Sequence, residues 1–300
     1  MYGYYFKNGR YWFSEGVFDY DEVSSFYKPL TFKGRIAYGV FRFVTKWRIA
    51  PKRIAPLEVQ QLLNVIAKCG FRGLVVNSGT PGIERSVTGL FSNKESWKFY
   101  KISTSVFSAQ LLKNEIEFMQ LFGALDFVPR VIQSGQLADH FWFISEFLEG
   151  EKVSPEIPAD ALFALLKKLN MLPVPAIKQK EGKPLLQCWS HGDFCSWNIL
   201  LCGNTLRVVD WEKADIRCIG HDLFTFVIQQ KLVLNSYTTL RETLNEYKYA
   251  FDNFFSDLAV SSWDLYLEDF LTERISMERK SMNSYLVERY ENILAEYYEL

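Results

Sequence analysis

The chain has 300 residues, a formal net charge of −1 and 16% aromatic residues. That length suits one two-lobed domain or two small ones, with ample material for a core. The near-neutral balance gives no overall reason to expect a nucleic-acid partner, and no run approaches the roughly eighteen apolar residues of a membrane span. The opening MYGYYFKNGRYWF lacks the charged-then-apolar plan of a secretory leader. Cys69, Cys188, Cys195, Cys202 and Cys218 form no CxxC pair, and an odd number suits reduced thiols. A cytoplasmic protein is the expectation.

Residues 1–54 read as a basic, aromatic extension. From Lys28 to Arg53 there are eight Lys or Arg and no acid. Within it, GRIAYGVFRFVTKWR spaces Ile36, Val40, Phe43, Val44 and Trp47 along one helical stripe, with Arg35, Arg42 and Lys46 off it. Such a helix suits an anionic membrane surface or glycolipid. The plain alternative is that the stripe packs on the neighbouring lobe while the bases stay in water. Residues 55–69 carry Val59, Leu62, Leu63 and Ile66 at helical spacing, ending at Gly70.

Next come strand-like RGLVV, the turn Ser78–Gly82, and strands around SVTGLF and WKFYKIS. Lys101 shares a strand face with Trp97 and Phe99, whereas Lys98 lies on the other face. A buried ammonium is costly without a partner. The helix SAQLLKNEIEFMQLF offers one: Glu115 sits with Leu111, Phe118 and Phe122 on an apolar face, while Glu117 falls with Lys113 and Gln120 on a solvated stripe. After Pro129, VIQSGQ and HFWFISEFLEG read as two further strands. From Pro155 onward helical patterns dominate, and the last fifty residues hold eleven acids and four bases.

One hairpin interrupts those helices. In SHGDFCSWNILLCGNTLRVVDW, two apolar runs flank a Cys-Gly-Asn turn. Centred on Asn204, the hairpin sets residue 198 opposite residue 210, and Gly192 lets the chain bend five residues before Asn198. Asp193, Asn198 and Asp210 then converge. Three such oxygen-bearing groups suit Mg²⁺ shared with substrate phosphates, leaving one carboxylate as a base. The alternative is a set of turn hydrogen bonds.

HGDFCSWNIL followed by VVDWEKA resembles the catalytic and metal-binding loops of the aminoglycoside phosphotransferase and choline kinase superfamily, small-molecule relatives of the protein kinases. The usual kinase Phe-Gly after the last Asp is here Trp211-Glu212. The resemblance implies an α+β, two-lobed protein-kinase-like fold. Its N-lobe (55–148) would be an antiparallel sheet with a helix, and its C-lobe (149–300) mainly helical with a catalytic hairpin. It implies Asp193 as catalytic base, Asn198 and Asp210 as metal ligands, Asp222 of the GHDL run as a brace of the catalytic loop, and His191 as an orienting partner. For ATP it implies Lys101 fixed by Glu115, phosphate cover from the turn with Ser78, Gly79 and Gly82, and a hinge at Glu146, Phe147 and Leu148. An ordinary hairpin turn and plain core packing are the respective alternatives for the last two.

The implied activity is ATP- and Mg²⁺-dependent phosphoryl transfer to a hydroxyl of a small molecule: a sugar, aminosugar, choline-like compound or lipid-linked saccharide. An acidic wall of C-terminal helices suits a cationic acceptor; the plain alternative is a charged face that is simply solvated. The rival expectation is a pseudokinase-like ligand-binding module. Asp222 follows Asp210 by only twelve positions, too few for the peptide-binding segment of a protein kinase. A lipid-linked acceptor would place the protein peripherally at the inner membrane face.

Overall fold

The computed structural model describes residues 2–6, 10–14, 17, 32–47, 49, 51–54, 60, 73–92, 96–153, 159–175, 185–233 and 238–300. The chain divides into two units, Met1–Glu151 and Lys152–Leu300. The expected helix over 55–69 lies outside the described residues, Gln60 excepted.

The first unit is an antiparallel sheet of β1 (Tyr2–Phe6), β2 (Tyr11–Ser14), β3 (Arg53–Ile54), β4 (Gly73–Asn77), β5 (Ser86–Ser92), β6 (Trp97–Ser103), β7 (Val131–Leu137) and β8 (His140–Glu146), in the order β3-β1-β2-β4-β5-β6-β8-β7. Alternation along the strands divides the core by sheet face. Trp12, Leu74, Val76, Tyr100, Ile102 and Trp142 gather in one cluster. Tyr4, Phe13, Val75, Leu90 and Trp97 gather in another. The sequence reading set 1–54 apart from 55–148, yet β1 and β2 pair into the same sheet through Tyr11↔Asn77 and Phe13↔Val75. Aromatic side chains on both strands bury there, which ties the amino terminus into the core.

Helix α1 (Phe32–Lys46) packs on the second cluster through Tyr38 and Phe41, whose rings meet Phe6 and Phe13. That is not the stripe expected to pack. Ile36, Val40, Phe43 and Trp47 are exposed instead. Helix α2 (Val106–Phe122) starts at a capping box in which Ser105 accepts from the Ser108 N–H and Ser108 accepts from the Ser105 N–H. Its buried stripe includes Leu112, Glu115, Met119 and Phe122.

The second unit joins helices α3 (Ala159–Asn170), α4 (His221–Ile228), α5 (Leu240–Ser256), α6 (Asp264–Lys280) and α7 (Ser284–Tyr298) to short strands. Phe224 anchors their core, with its ring against Phe251, Phe255, Trp263 and Phe270. A short strand β9 (Glu151–Lys152) lies at the junction, β10 (Gln187–Ser190) pairs with β13 (Asp215–Cys218), and β11 (Ile199–Cys202) with β12 (Thr205–Val208). Among the described residues no helix is long and apolar enough to cross a membrane.

Candidate active site

In the second unit, β10 delivers the chain into the loop that carries Asp193, and the hairpin β11–β12 returns it to Asp210. Pairing runs Ile199↔Val208 to Cys202↔Thr205, with Gly203 taking the left-handed turn position at φ 59°. The hairpin is therefore centred one half-step before Asn204. Residue 198 faces Val209, whose N–H donates to the Asn198 carbonyl at 2.9 Å, rather than Asp210 as the spacing suggested. Asp210 comes next and takes a left-handed conformation, φ 71° and ψ 55°. Asp tolerates that region better than most residues, at a cost of about 1–2 kcal/mol. Buried Trp211 fixes the far side by donating from Nε1 to the Val208 carbonyl at 2.8 Å.

Hydrogen bonds lock the Asp193 loop along its length. The Asp222 carboxylate, nearly buried, accepts from Ser190 Oγ (2.8 Å), the His191 N–H (2.7 Å) and the Gly192 N–H (3.1 Å). His191 is fully buried between strand and hairpin. Its Nε2 meets the Val209 carbonyl at 2.9 Å and its Nδ1 accepts the Asp193 N–H at 3.2 Å, a pattern that fits the neutral ring with its proton on Nε2. Trp211 closes on the same imidazole, ring centroids 4.7 Å apart. Gly192 sits at φ 80°, and a Cβ there would lie 2.4 Å from the Lys213 carbonyl, so the bend excludes any side chain.

Asn198 donates from Nδ2 to the Asp193 carbonyl (2.9 Å) and carboxylate (3.3 Å). That orientation turns its amide oxygen away from Asp193. The oxygen and the Asp210 carboxylate are hard donors of the kind Mg²⁺ takes, so the residues present fit the metal. The Cys195 thiol lies 3.6 Å from Asp193 Oδ1. Burial, and then the Asp193 charge, push its pKa well up, which keeps it a thiol.

The sequence reading missed Arg274. This α6 side chain is 1% exposed and donates to the Gly192 carbonyl (2.8 Å), Glu278 (2.7 Å) and Gln229 (3.1 Å), with the Tyr290 ring 5.2 Å away. Burial opposes its charge, but Tyr290, Asp193 and Glu278 outweigh it and hold the guanidinium ionised. The signal was available: Leu267, Phe270, Leu271, Arg274 and Glu278 recur at helical spacing, which puts a charged pair on an apolar face.

In the first unit, Lys101 Nζ meets Glu115 Oε2 at 2.8 Å, the two residues 5% and 3% exposed. Glu117 is exposed beside Lys113. The turn after β4 is tied to its own surroundings. Ser78 N–H donates to the Arg10 carbonyl, Gly79 N–H to Asn77 Oδ1, and Arg85 Nε to the Ser78 carbonyl. The Ser78 and Gly79 N–H groups expected to cover phosphates are thus engaged inside the unit; Gly82, at φ 150°, has open space where a Cβ would stand. At the end of β8, the Glu146 carboxylate accepts the Arg130 N–H at 2.9 Å, Leu148 is buried, and Phe147 packs on the second core cluster.

Acids of the C-terminal helices find partners within the second unit. Glu273 pairs with Arg217, Glu278 with Arg274, Asp257 with Lys167, Glu291 with Arg279, and Glu296 accepts the Leu240 N–H. Much of the acid serves the unit itself rather than a wall open to a cation.

Residues 179–250, which contain the Asp193 loop, the hairpin and Asp222, match the phosphotransferase enzyme family APH. No curated protein matches the chain by sequence. Among solved structures, a thermostable mutant of aminoglycoside phosphotransferase APH(4)-Ia in ternary complex with AMP-PNP and hygromycin B is 12% identical, with 80% of this chain and 99% of its own covered, and superposes with a TM-score of 0.55. The gentamicin complex of APH(2")-IIa is 14% identical, with 81% and 97% covered and a TM-score of 0.53. Amicoumacin kinase hAmiN, in complex with AMP-PNP, Ca²⁺ and Ami, is 11% identical, with 78% and 92% covered and a TM-score of 0.51. The fold is that of the aminoglycoside phosphotransferases and related kinases, and the resemblance carried by residues 190–223 stands on both the matched segment and the fold.

Proposed function

We propose that the protein is a small-molecule kinase that transfers the γ-phosphoryl group of ATP to a hydroxyl. The observation that carries the reading is the Asp193 carboxylate, half-buried on a loop locked by Asp222, His191 and Arg274 and flanked by Asn198 and the strained Asp210. Nucleotides and small-molecule ligands held by the similar structures support it.

In this reading Asp193 accepts the hydrogen bond of the acceptor hydroxyl and takes its proton as the oxygen attacks phosphorus. The bond from the γ-phosphorus to the bridging oxygen breaks, ADP leaves, and the proton passes from Asp193 to solvent. Asn198 and Asp210 would hold Mg²⁺, which when bound neutralises charge on the terminal phosphates. Lys101, fixed by Glu115, neutralises the inner phosphates, and the backbone after β8 takes the adenine. Asp222 and His191 act through the loop, setting where Asp193 points. Positioning and electrostatics supply most of the rate. Because so many carboxylates of the C-terminal helices are paired, the acceptor is a hydroxyl compound of either charge class: sugar, aminosugar, choline-like or lipid-linked saccharide.

Phosphoryl transfer from ATP to a panel of such acceptors is the test, with Asp193→Asn alongside. The variant should keep nucleotide binding and lose about two or more orders of magnitude in rate. Asp210→Ala should remove Mg-ATP protection against heating. Wild-type turnover in Asp193→Asn would sink the assignment; nucleotide protection with no transfer to any acceptor would favour the inactive ligand-binding fold.

A further inference from the structure

We propose that α1 is a docking element for an anionic lipid surface. The helix has three faces where an ordinary amphipathic helix has two. One is buried: Tyr38, Phe41 and Thr45 are all shielded from water, and the Tyr38 and Phe41 rings lie against Phe6 and Phe13 of the sheet. A second is basic, with Arg35 and Lys46 exposed and Arg42 half-buried. The third is apolar and faces water: Ile36 is 54% exposed, Val40 57%, Phe43 60% and Trp47 66%, and Ile49 continues the row at 69%. Phe43 and Trp47 pair along it, ring centroids 6.2 Å apart. Among the described residues the sheet occupies the first face and none covers the third. A contiguous exposed stripe of this kind marks an interaction surface.

Charge identifies the occupant. No residue from 32 to 54 is acidic. Lys33 borders the apolar stripe on one side and Arg35 and Lys46 on the other by helical spacing, while Lys52 and Arg53 follow as exposed residues. Bases on both flanks of an aromatic and aliphatic row match the headgroup and acyl layers of an anionic membrane, where Trp and Phe sit at the boundary and Lys and Arg reach the lipid phosphates. A nucleic acid would use the bases and leave Ile36, Val40 and Phe43 idle. A second copy placed face to face would bring the two sets of bases together, which repels.

Co-sedimentation of the full chain with phosphatidylcholine vesicles, with and without phosphatidylglycerol, tests the proposal. The protein should pellet with the phosphatidylglycerol vesicles at low salt, stay with the supernatant on phosphatidylcholine alone, and be released as salt rises. Phe43→Ala with Trp47→Ala, both at exposed positions, should weaken vesicle binding about tenfold or more while leaving Mg-ATP protection unchanged, so the result is separable from the kinase reading. Protein that stays wholly in the supernatant at low salt overturns the proposal. So does vesicle binding indifferent to the double substitution, or a dimer seen by light scattering that the same substitution dissociates.

Discussion

Lys101–Glu115 in the first unit and Arg274–Glu278 in the second are both buried ion pairs, 2.8 and 2.7 Å across. They differ in how the chain makes them. The first joins a strand to a helix fourteen residues on, so its geometry depends on how α2 lies on the sheet. The second lies within one turn of α6, and its reach comes from the guanidinium fork, which also takes the Gly192 carbonyl and Gln229. An ammonium is a point charge, whereas a guanidinium can brace three groups in one plane. In the proposed reading the lysine faces a ligand and the arginine holds a loop. Burial alone does not separate these roles; the donor geometry does.

The largest expected effect breaks that comparison at its charges. Lys101→Met or Arg274→Met leaves a buried carboxylate without its cation and should cost about 3–5 kcal/mol in chemical denaturation. Arg274→Lys keeps a charge for Glu278 but loses the fork, so it should recover only part of that loss. Among the folded molecules, Arg274→Lys should lower kcat with little change in KM for ATP, because the Gly192 carbonyl beside Asp193 has lost its donor. Full recovery of stability and kcat by Arg274→Lys would reduce the fork to a plain charge.

Legibility in the sequence followed the same division. The pair Lys101–Glu115 could be read because an acid on an apolar helix face and a cation on a strand facing Trp97 each demanded a partner. Arg274 and Glu278, four apart on a helix, have the spacing of any solvated pair, and only the apolar residues around them mark that face as buried. The hairpin was legible and its register was not: the turn centre shifts when Gly203, not Asn204, takes the positive φ, and half a step moves Asp210 from opposite Asn198 to the residue beyond. β1 and β2 carried the signal of two aromatic runs around Asn8-Gly9, which the basic composition of the segment obscured. In α1 the stripe was identified and its direction was not, because Tyr38 and Phe41 form a second apolar face able to win the sheet.

Titration sharpens the comparison next. Around the second unit's loop, burial lowers the His221 pKa to about 4, while its Nδ1 lies 3.3 Å from Ser190 Oγ. An unfolded histidine binds its proton near pH 6.5. Between those values the unfolded chain holds a proton that the folded chain refuses, so stability falls as pH drops from about 6.5 to about 4, by up to about 3 kcal/mol. Below that window Asp222 adds its own loss. Burial works against its charge, but the nearby His221 ring and the hydrogen bond from the His191 N–H hold its pKa below the usual carboxylate range, so its contribution disappears as it protonates. Urea midpoints measured across pH should show the slope in the wild type and a flatter profile between pH 4 and 6.5 in His221→Asn. An equal slope in both would place the acid sensitivity elsewhere.

The smallest effect concerns what sets α2 against the sheet, and so where Glu115 meets Lys101. Ser105 performs two tasks at once: it accepts the Ser108 N–H as the helix cap, and its hydroxyl donates to the Ile83 carbonyl at 2.6 Å, tying the helix start to the turn before β5. Ser105→Ala removes both and should cost about 1–2 kcal/mol. Ser105→Asp can still cap, and its charge suits a helix start, but it cannot donate to Ile83 when ionised, so it should recover the cap alone. Ser105→Thr retains both functions and should match the wild type within about 0.5 kcal/mol. Hydrogen exchange over Val106–Leu112 reads the cap, and exchange over Ser86–Ser92 reads the tie. If Ser105→Ala speeds exchange only in the helix, the bond to Ile83 does not hold the turn, and α2 is positioned by its buried stripe alone.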